Sequence, residues 1–139
     1  MEDIQVILSS HNRKIVHADS KDPESKIQAP TNSKIPDLFF DEILVEYKLT
    51  RAETLVLMFL YRVTWCKPNL HVKHGIAPML SHQAVCTKLD LTMELFLQTV
   101  KKLETYGFIE TIRAGQYFVR KYFTEINDLK YGQTYDNFL

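Results

Sequence analysis

The sequence predicts a mainly helical α+β domain that ends in a β-hairpin. Three local signals indicate this fold. A capping box at 50–53 and N-cap residues at Ser81 and Thr92 each precede a segment with helical periodicity. Gly107 ends the last of these segments, and Ala114-Gly115 joins two β-prone runs. With 139 residues and 45% hydrophobic side chains, the chain can form one such domain and an additional arm.

An arm and a linker are predicted ahead of this domain. Residues 4–8 (IQVIL) and 14–18 (KIVHA) are short β-prone runs, which favour either a β-hairpin or a simple N-terminal arm over 1–18. An isolated two-stranded hairpin is only marginally stable in water. Residues 19–35 are rich in Ser, Lys and Pro, so they predict a flexible linker that buries too little apolar surface to fold.

Two helices are predicted at the start of the domain, which we expect over 36–123. The first begins at Pro36, and the capping box starts the second, which runs from Arg51 to about Trp65. The apolar stripe of the first helix consists of Leu38, Phe39, Ile43, Leu44 and Tyr47. The inward side chains expected in the second are Leu55, Val56, Met58, Phe59, Leu60 and Val63.

A second pair of helices is predicted after a loop at 66–80, which ends in a short extended piece. Ser81 caps a helix over 82–89, and Thr92 caps the next helix, over 93–106. The inward side chains expected in the shorter helix are Ala84, Val85 and Leu89. Those expected in the longer helix are Phe96, Val100 and Leu103, with Thr99 beside this stripe.

The hairpin comes next, and a tail follows it. Its two β-prone runs are 108–113 and 116–123. Residues 124–139 form a C-terminal tail, in which one helical turn can follow Thr124. The tail carries the aromatic residues Tyr131, Tyr135 and Phe138.

The charge balance argues against a strongly basic nucleic-acid binder, because 17 basic and 17 acidic side chains give zero net charge. The charges are unevenly distributed, however, with net −3 over 1–50 and +3 over 51–139. The longest apolar run, 55–61, is far shorter than the ~20 residues of a membrane span. Two cysteines make no disulfide framework, and acidic residues stand where a signal peptide carries basic ones. We therefore expect a cytoplasmic protein.

The order helix, helix, short strand, helix, turn, helix, hairpin resembles that of a winged helix-turn-helix domain. LTRAE at 49–53, followed by an apolar helix, resembles the opening helix of bacterial winged-helix transcriptional regulators and of plasmid or phage replication-initiator domains. The segment LSHQAVCTKLDLTMELFLQTVKKLETYGFIE at 80–110 resembles their core pattern, most specifically in KKLETYGFIE at 101–110. The resemblance implies a DNA-binding protein of one of these two types, with double-stranded DNA as its partner.

The resemblance also implies which residues meet DNA. The helix after Thr92 would enter the major groove, while its partner helix and the hairpin, called the wing, bind phosphates. The implied groove-facing residues are Thr92, Met93, Glu94, Leu97, Gln98 and Lys101. The implied backbone contacts are Ser81, His82, Gln83, Lys102 and three residues expected to flank the wing turn, Arg113, Arg120 and Lys121.

Part of this face departs from the family pattern. Met93, Glu94 and Leu97 would place two apolar groups and one acid against a polyanion. The same apolar residues therefore keep a second hypothesis open, in which the helix face binds a partner protein. Self-association through the first helix or the C-terminal tail is also open.

Metal binding and catalysis are less favoured by the sequence. Five candidate ligands fall within 21 residues, namely Cys66, His71, His74, His82 and Cys86. They include no CxxC motif, however, and Cys86 is predicted to face inward. The chain also lacks a nucleophile signature and a Gly-rich phosphate loop. We therefore expect a non-enzymatic protein with no metal and no cofactor.

Overall fold

The computed structural model describes residues 27–138, so the predicted arm at 1–18 and part of the predicted linker at 19–35 lie outside the described residues. The chain divides into two units, Met1–Asn32 and Ser33–Leu139. In the first unit, residues 27–32 have no regular secondary structure. The second unit is mainly helical and, among its described residues, contains one small antiparallel sheet of two strands. This α+β character confirms the predicted class.

Helices α1 and α2 form the start of the second unit. Helix α1 is short, because its π-helical part, Phe39–Ile43, continues only into Leu44–Glu46. From its predicted stripe, Phe39 and Ile43 are buried, and the other members are half-buried at the edge of the core. Helix α2, Arg51–Tyr61, begins at the predicted capping box and continues as a π-helical segment, Arg62–Cys66.

The buried face of α2 is rotated from the predicted one. Its fully buried apolar side chains are Val56, Leu57, Leu60 and Tyr61. Leu55, Met58, Phe59 and Val63 are only half-buried. The prediction that Phe59 is a core residue is therefore wrong. Helical spacing fixes which side chains share a face, but the neighbouring elements decide how that face is turned toward the core.

Both predicted caps at the second helix pair are confirmed. After a loop with one 3₁₀ turn, Val72–His74, the Ser81 hydroxyl caps α3, His82–Leu89. The Thr92 hydroxyl caps α4, Met93–Tyr106. In α4 the predicted inward residues Phe96, Val100 and Leu103 are buried, and so is Thr99 beside them.

Helix α3 differs from the prediction at one position. Val85 is buried and Leu89 is half-buried, whereas Ala84 is exposed. Cys86 is buried, as the sequence predicted. As in α2, the periodic pattern gave the correct helix but a slightly wrong rotation of its apolar face.

The hairpin follows Gly107, which ends α4 with φ +84°. Strand β1, Ile109–Arg113, pairs with β2, Gln116–Val119, across a turn in which Gly115 has φ +85°. Strand β2 therefore ends at Val119, rather than at Phe123 as predicted. The chain turns at this point, since the Phe123 amide donates to the Arg120 carbonyl at 3.3 Å.

The extended piece predicted at the end of the 66–80 loop lies along the free edge of β2. The Ala77 amide donates to the Tyr117 carbonyl at 2.9 Å, and the Leu80 amide donates to the Gly115 carbonyl at 2.7 Å. These bonds place the extended piece, β2 and β1 side by side.

The C-terminal tail packs back on the second unit. Helix α5, Glu125–Lys130, begins at Thr124, whose hydroxyl accepts from the Asn127 amide. Beyond it, the Tyr135 ring packs against Phe118 with 4.8 Å between ring centroids. No helix among residues 27–138 is long and apolar enough to cross a membrane.

Candidate nucleic-acid interface

The structure brings the predicted groove-facing residues together on one exposed surface of α4. Those residues are Thr92, Met93, Glu94, Leu97, Gln98 and Lys101, and all six are exposed. They share the surface because the four inward side chains of α4 occupy the opposite side of the helix. With about 100° of rotation per residue, Glu94, Gln98 and Lys101 form the centre line of this surface.

One hydrogen bond joins two of the centre residues. The Gln98 side-chain amide donates to the Glu94 carboxylate at 3.4 Å, one helical turn away. This bond orients the amide along the helix. It also leaves the Gln98 oxygen free to accept and the second amide hydrogen free to donate.

Apolar side chains flank the centre line on both sides. Met93 and Leu97 lie on one flank and are 41% and 42% exposed. Leu95, which is absent from the predicted contact residues, lies on the other flank and is 40% exposed. The spacing could have identified it, since Leu95 does not share the phase of the buried residues Phe96 and Leu103.

Helix α3 contributes unequally to the predicted backbone contacts. Ser81 and Gln83 are exposed, as a phosphate contact requires. His82 is half-buried, and its Nε2 shares a 2.6 Å hydrogen bond with the Tyr117 hydroxyl. Its ring also packs on Phe96, with 5.1 Å between ring centroids. His82 is therefore part of the support under the interface more than part of its surface.

Burial raises the pKa of the Tyr117 phenol, and the nearby charge of Glu104 acts in the same direction. Tyr117 thus keeps its proton at neutral pH. The hydrogen bond to His82 links α3 to strand β2 and fixes the start of α3 against the hairpin.

Only one of the three predicted wing cations lies next to the wing turn. Arg113 is exposed at the end of β1, and its Nε donates to Gln116 at 2.9 Å. Arg120 and Lys121 follow the far end of β2, so the prediction that they flank the turn is wrong. The reason is the early end of β2 at Val119, which places both residues at the base of the hairpin.

The two cations at the base are already engaged with the protein. Arg120 forms a salt bridge with the buried Asp128, with 3.1 Å between Nη1 and Oδ2. The Lys121 ammonium lies 5.6 Å from the centroid of the Trp65 ring. Both residues are half-buried.

Four other cations are exposed around α4. Lys88 lies on α3, Lys101 and Lys102 lie on α4, and Arg113 lies on β1. Within residues 27–138 the Arg120–Asp128 pair is the one salt bridge, so these four have no carboxylate partner there. Two of them also contact aromatic rings, since the Lys88 ammonium lies 5.7 Å from the centroid of Phe59 and that of Lys102 lies 5.4 Å from the centroid of Tyr106. Helix α4 itself carries two acids, Glu94 and Glu104, beside its two lysines.

The candidate metal ligands form separate hydrogen bonds with other parts of the protein. Cys66 donates to the Lys34 carbonyl at 3.3 Å, and burial raises the pKa of this thiol. His74 bonds through Nδ1 to the Asp136 carbonyl at 2.9 Å. In the part of the chain that the structure describes, no three His, Cys, Asp or Glu side chains come together as metal ligands.

The site can therefore bind a partner molecule through direct polar and apolar contacts and through charge. It presents a polar line on α4, apolar flanks and four exposed cations, all on well-capped elements. Compared with protein-family models, with curated proteins and with solved structures, the chain has no significant match.

Proposed function

We propose that this protein binds double-stranded DNA by inserting α4 into the major groove, as a winged-helix protein of the transcription-regulator or replication-initiator type. One observation carries the proposal. The exposed face of α4 holds a polar line, Glu94, Gln98 and Lys101, and is surrounded by exposed cations without carboxylate partners among the described residues.

The order of the elements supports this proposal. Helices α1 and α2 are followed by the extended piece, then by α3, α4 and the hairpin. The extended piece pairs with β2, and β1 follows α4 directly after Gly107. This is the arrangement expected of a winged helix-turn-helix domain, in which a recognition helix and a wing act together.

Each part of the surface has a distinct role under this proposal. The Gln98 amide can read an adenine edge, and the Glu94 carboxylate can accept from a cytosine amino group. The Met93 and Leu97 side chains can contact thymine methyl groups. Lys88, Lys101, Lys102 and Arg113 bind phosphates and set the register.

A salt titration tests the proposal. Four phosphate contacts predict that log K falls against log salt with a slope of about −3.6 on duplex DNA. Fluorescence anisotropy with a labelled random duplex measures this slope. Arg113→Ala should reduce it by about one unit. Lys73→Ala is the matched control, because Lys73 lies on the 3₁₀ turn outside the proposed surface and should leave the slope unchanged.

Glu94 gives a test with the opposite sign. A carboxylate in the groove is repelled by the phosphates on either side, so Glu94→Gln should tighten binding to random DNA. Unchanged affinity for this variant, with no measurable salt slope in the parent protein, would contradict the DNA proposal.

A partner protein is the second candidate, and the exposed apolar flanks favour it. Met93, Leu95 and Leu97 expose two fifths of their surface, as anchor residues of a protein interface do before binding.

Leu97→Asp should abolish such a complex while changing the free energy of unfolding by less than ~0.5 kcal/mol. Calorimetric melting of the variant checks the second condition. Unfolding of the Leu97→Asp variant would contradict both candidates, since it would mean that Leu97 stabilises the domain itself.

A further inference from the structure

Helix α5 has its polar side buried and its apolar side exposed. Asp128 is 3% exposed, whereas Ile126 and Leu129 are 78% and 75% exposed. Tyr131, just beyond the helix, is 48% exposed and packs on Tyr122 with 5.0 Å between ring centroids. An amphipathic helix that covers only its own core has the reverse distribution.

The contacts of Asp128 explain why α5 cannot turn its apolar side inward. One carboxylate oxygen accepts from Arg120 at 3.1 Å and from the Tyr135 hydroxyl at 2.6 Å. The other accepts from the Tyr122 amide at 3.1 Å. Rotating the helix would break all three hydrogen bonds of Asp128, and no equivalent bonds would replace them. The orientation of Ile126 and Leu129 toward the outside is therefore fixed.

The outward face of α5 has a self-complementary sequence. The face begins with an acid, Glu125, and ends with a base, Lys130. Between them it carries two apolar residues, Ile126 and Leu129. Glu125 and Lys130 are exposed, and neither has an ion-pair partner within the described residues. The Lys130 ammonium lies 5.4 Å from the centroid of the Tyr131 ring.

We propose that α5 pairs with α5 of a second copy of this chain, antiparallel and around a two-fold axis. The axis passes between positions 127 and 128, so Ile126 of one copy meets Leu129 of the other. Glu125 of each copy then lies against Lys130 of the other. Every contact occurs twice, as an isologous interface requires. A second copy is thus the occupant that the charges on this face complement.

The dimer should be weak and concentration-dependent. A helix of six residues and one flanking tyrosine bury less than the roughly 800 Å² per partner of a standard stable interface. Sedimentation equilibrium of the full chain, from about 10 µM to 1 mM, covers the range in which such interfaces form. We expect the average mass to rise from that of one chain toward that of two.

Charge reversal tests the antiparallel pairing itself. Glu125→Lys and Lys130→Glu each replace two attractive pairs by two repulsive ones, so each should weaken self-association by about tenfold. An equimolar mixture of the two variants restores attraction at both pairs. It should therefore form a heterodimer about as strong as the parent homodimer. Simple damage to α5 would not be rescued by mixing.

Apolar substitutions provide the matched control. Leu129→Asp should leave the protein monomeric at every concentration. Leu70→Asp should dimerise normally, because Leu70 is 92% exposed in the loop after α2 and lies outside the proposed interface. A parent protein that stays monomeric to about 1 mM would overturn the proposal. A mixture of the charge variants that associates no better than either variant alone would also overturn it.

Discussion

Phe123 combines two properties that rarely occur in one residue. Its side chain is fully buried, and its backbone has φ +77°, in the left-handed region that disfavours bulky residues. That conformation costs about 1–2 kcal/mol. Three aromatic neighbours offset this cost, since the Phe123 ring stacks on Tyr61 at 5.1 Å and contacts Phe39 and Phe108. The strain lets the chain leave β2 and enter α5 while the ring remains in the core.

Two substitutions at Phe123 separate the packing from the strain. Phe123→Ala and Phe123→Gly both lose about 3–5 kcal/mol of packing. Glycine adopts positive φ freely, so the glycine variant should be more stable than the alanine variant by about 1 kcal/mol. Urea unfolding measures the difference.

The control for this comparison is Phe96, a buried residue inside α4. There the usual order should hold, with Phe96→Gly about 1 kcal/mol less stable than Phe96→Ala. The same order at position 123 would contradict the strain at that position.

At the scale of elements, α5 is held in place mainly through Asp128. Its carboxylate joins the end of β2, the following turn and the tail, through Arg120, Tyr122 and Tyr135. Few apolar side chains of α5 take part, because Ile126 and Leu129 face outward. The docking of this helix therefore depends on polar contacts.

Asp128→Asn should weaken that docking. The amide keeps only one acceptor atom and turns an NH₂ group toward donors, which should cost about 2–3 kcal/mol in the free energy of unfolding. The matched control is Asp136→Asn, at an exposed position whose backbone amide would still donate to the Lys73 carbonyl. Urea unfolding that gives equal stability for the two variants would be inconsistent with this role of Asp128.

The element scale also shows how far the sequence could predict the molecule. Caps and periodicity identified α2, α3, α4 and the hairpin, because Ser81, Thr92 and Gly107 satisfy helix ends by purely local contacts. The exposed face of α4 was predictable because helical spacing is also a local property. The rotation of α2 depends on tertiary partners, which is why Phe59 is half-buried and not part of the core.

Other errors in the predicted site arise from contacts between different elements of the fold. Arg120 looks like a wing cation in the sequence, but a partner eight residues away, Asp128, holds it at the base of the hairpin. His82 looks like a phosphate ligand, but Tyr117, 35 residues away, binds its ring. Neither contact has a signal in local spacing.

At the scale of the whole molecule, three tyrosine hydroxyls join different elements of the fold, two of them across 60 and 35 residues of sequence. Tyr61 in α2 donates to the Lys121 carbonyl at 3.0 Å. Tyr117 in β2 bonds to His82 at the start of α3. Tyr135 in the tail donates to Asp128 in α5. These bonds connect the helices, the hairpin and the tail. Tyr61 and Tyr135 donate the hydrogen bond, so both phenols must be protonated.

Burial raises the pKa of all three phenols above the ordinary value of 10.0, and for Tyr135 the hydrogen bond to Asp128 raises it further. The folded state therefore retains protons that the unfolded state releases near pH 10. The stabilisation is complete below about pH 10 and is lost as the pH rises further, by up to about 1.4 kcal/mol per pH unit for each fully buried phenol.

Tyr61→Phe tests this linkage, because Tyr61 is 2% exposed. At neutral pH the variant should lose about 1 kcal/mol with the hydrogen bond to Lys121. Above about pH 10 its free energy of unfolding should decline less steeply than that of the parent, by about 1 kcal/mol per pH unit. Urea unfolding at successive pH values gives both numbers. Equal slopes for Tyr61→Phe and the parent would mean that Tyr61 ionises without unfolding, contrary to its role as a buried link between α2 and the hairpin.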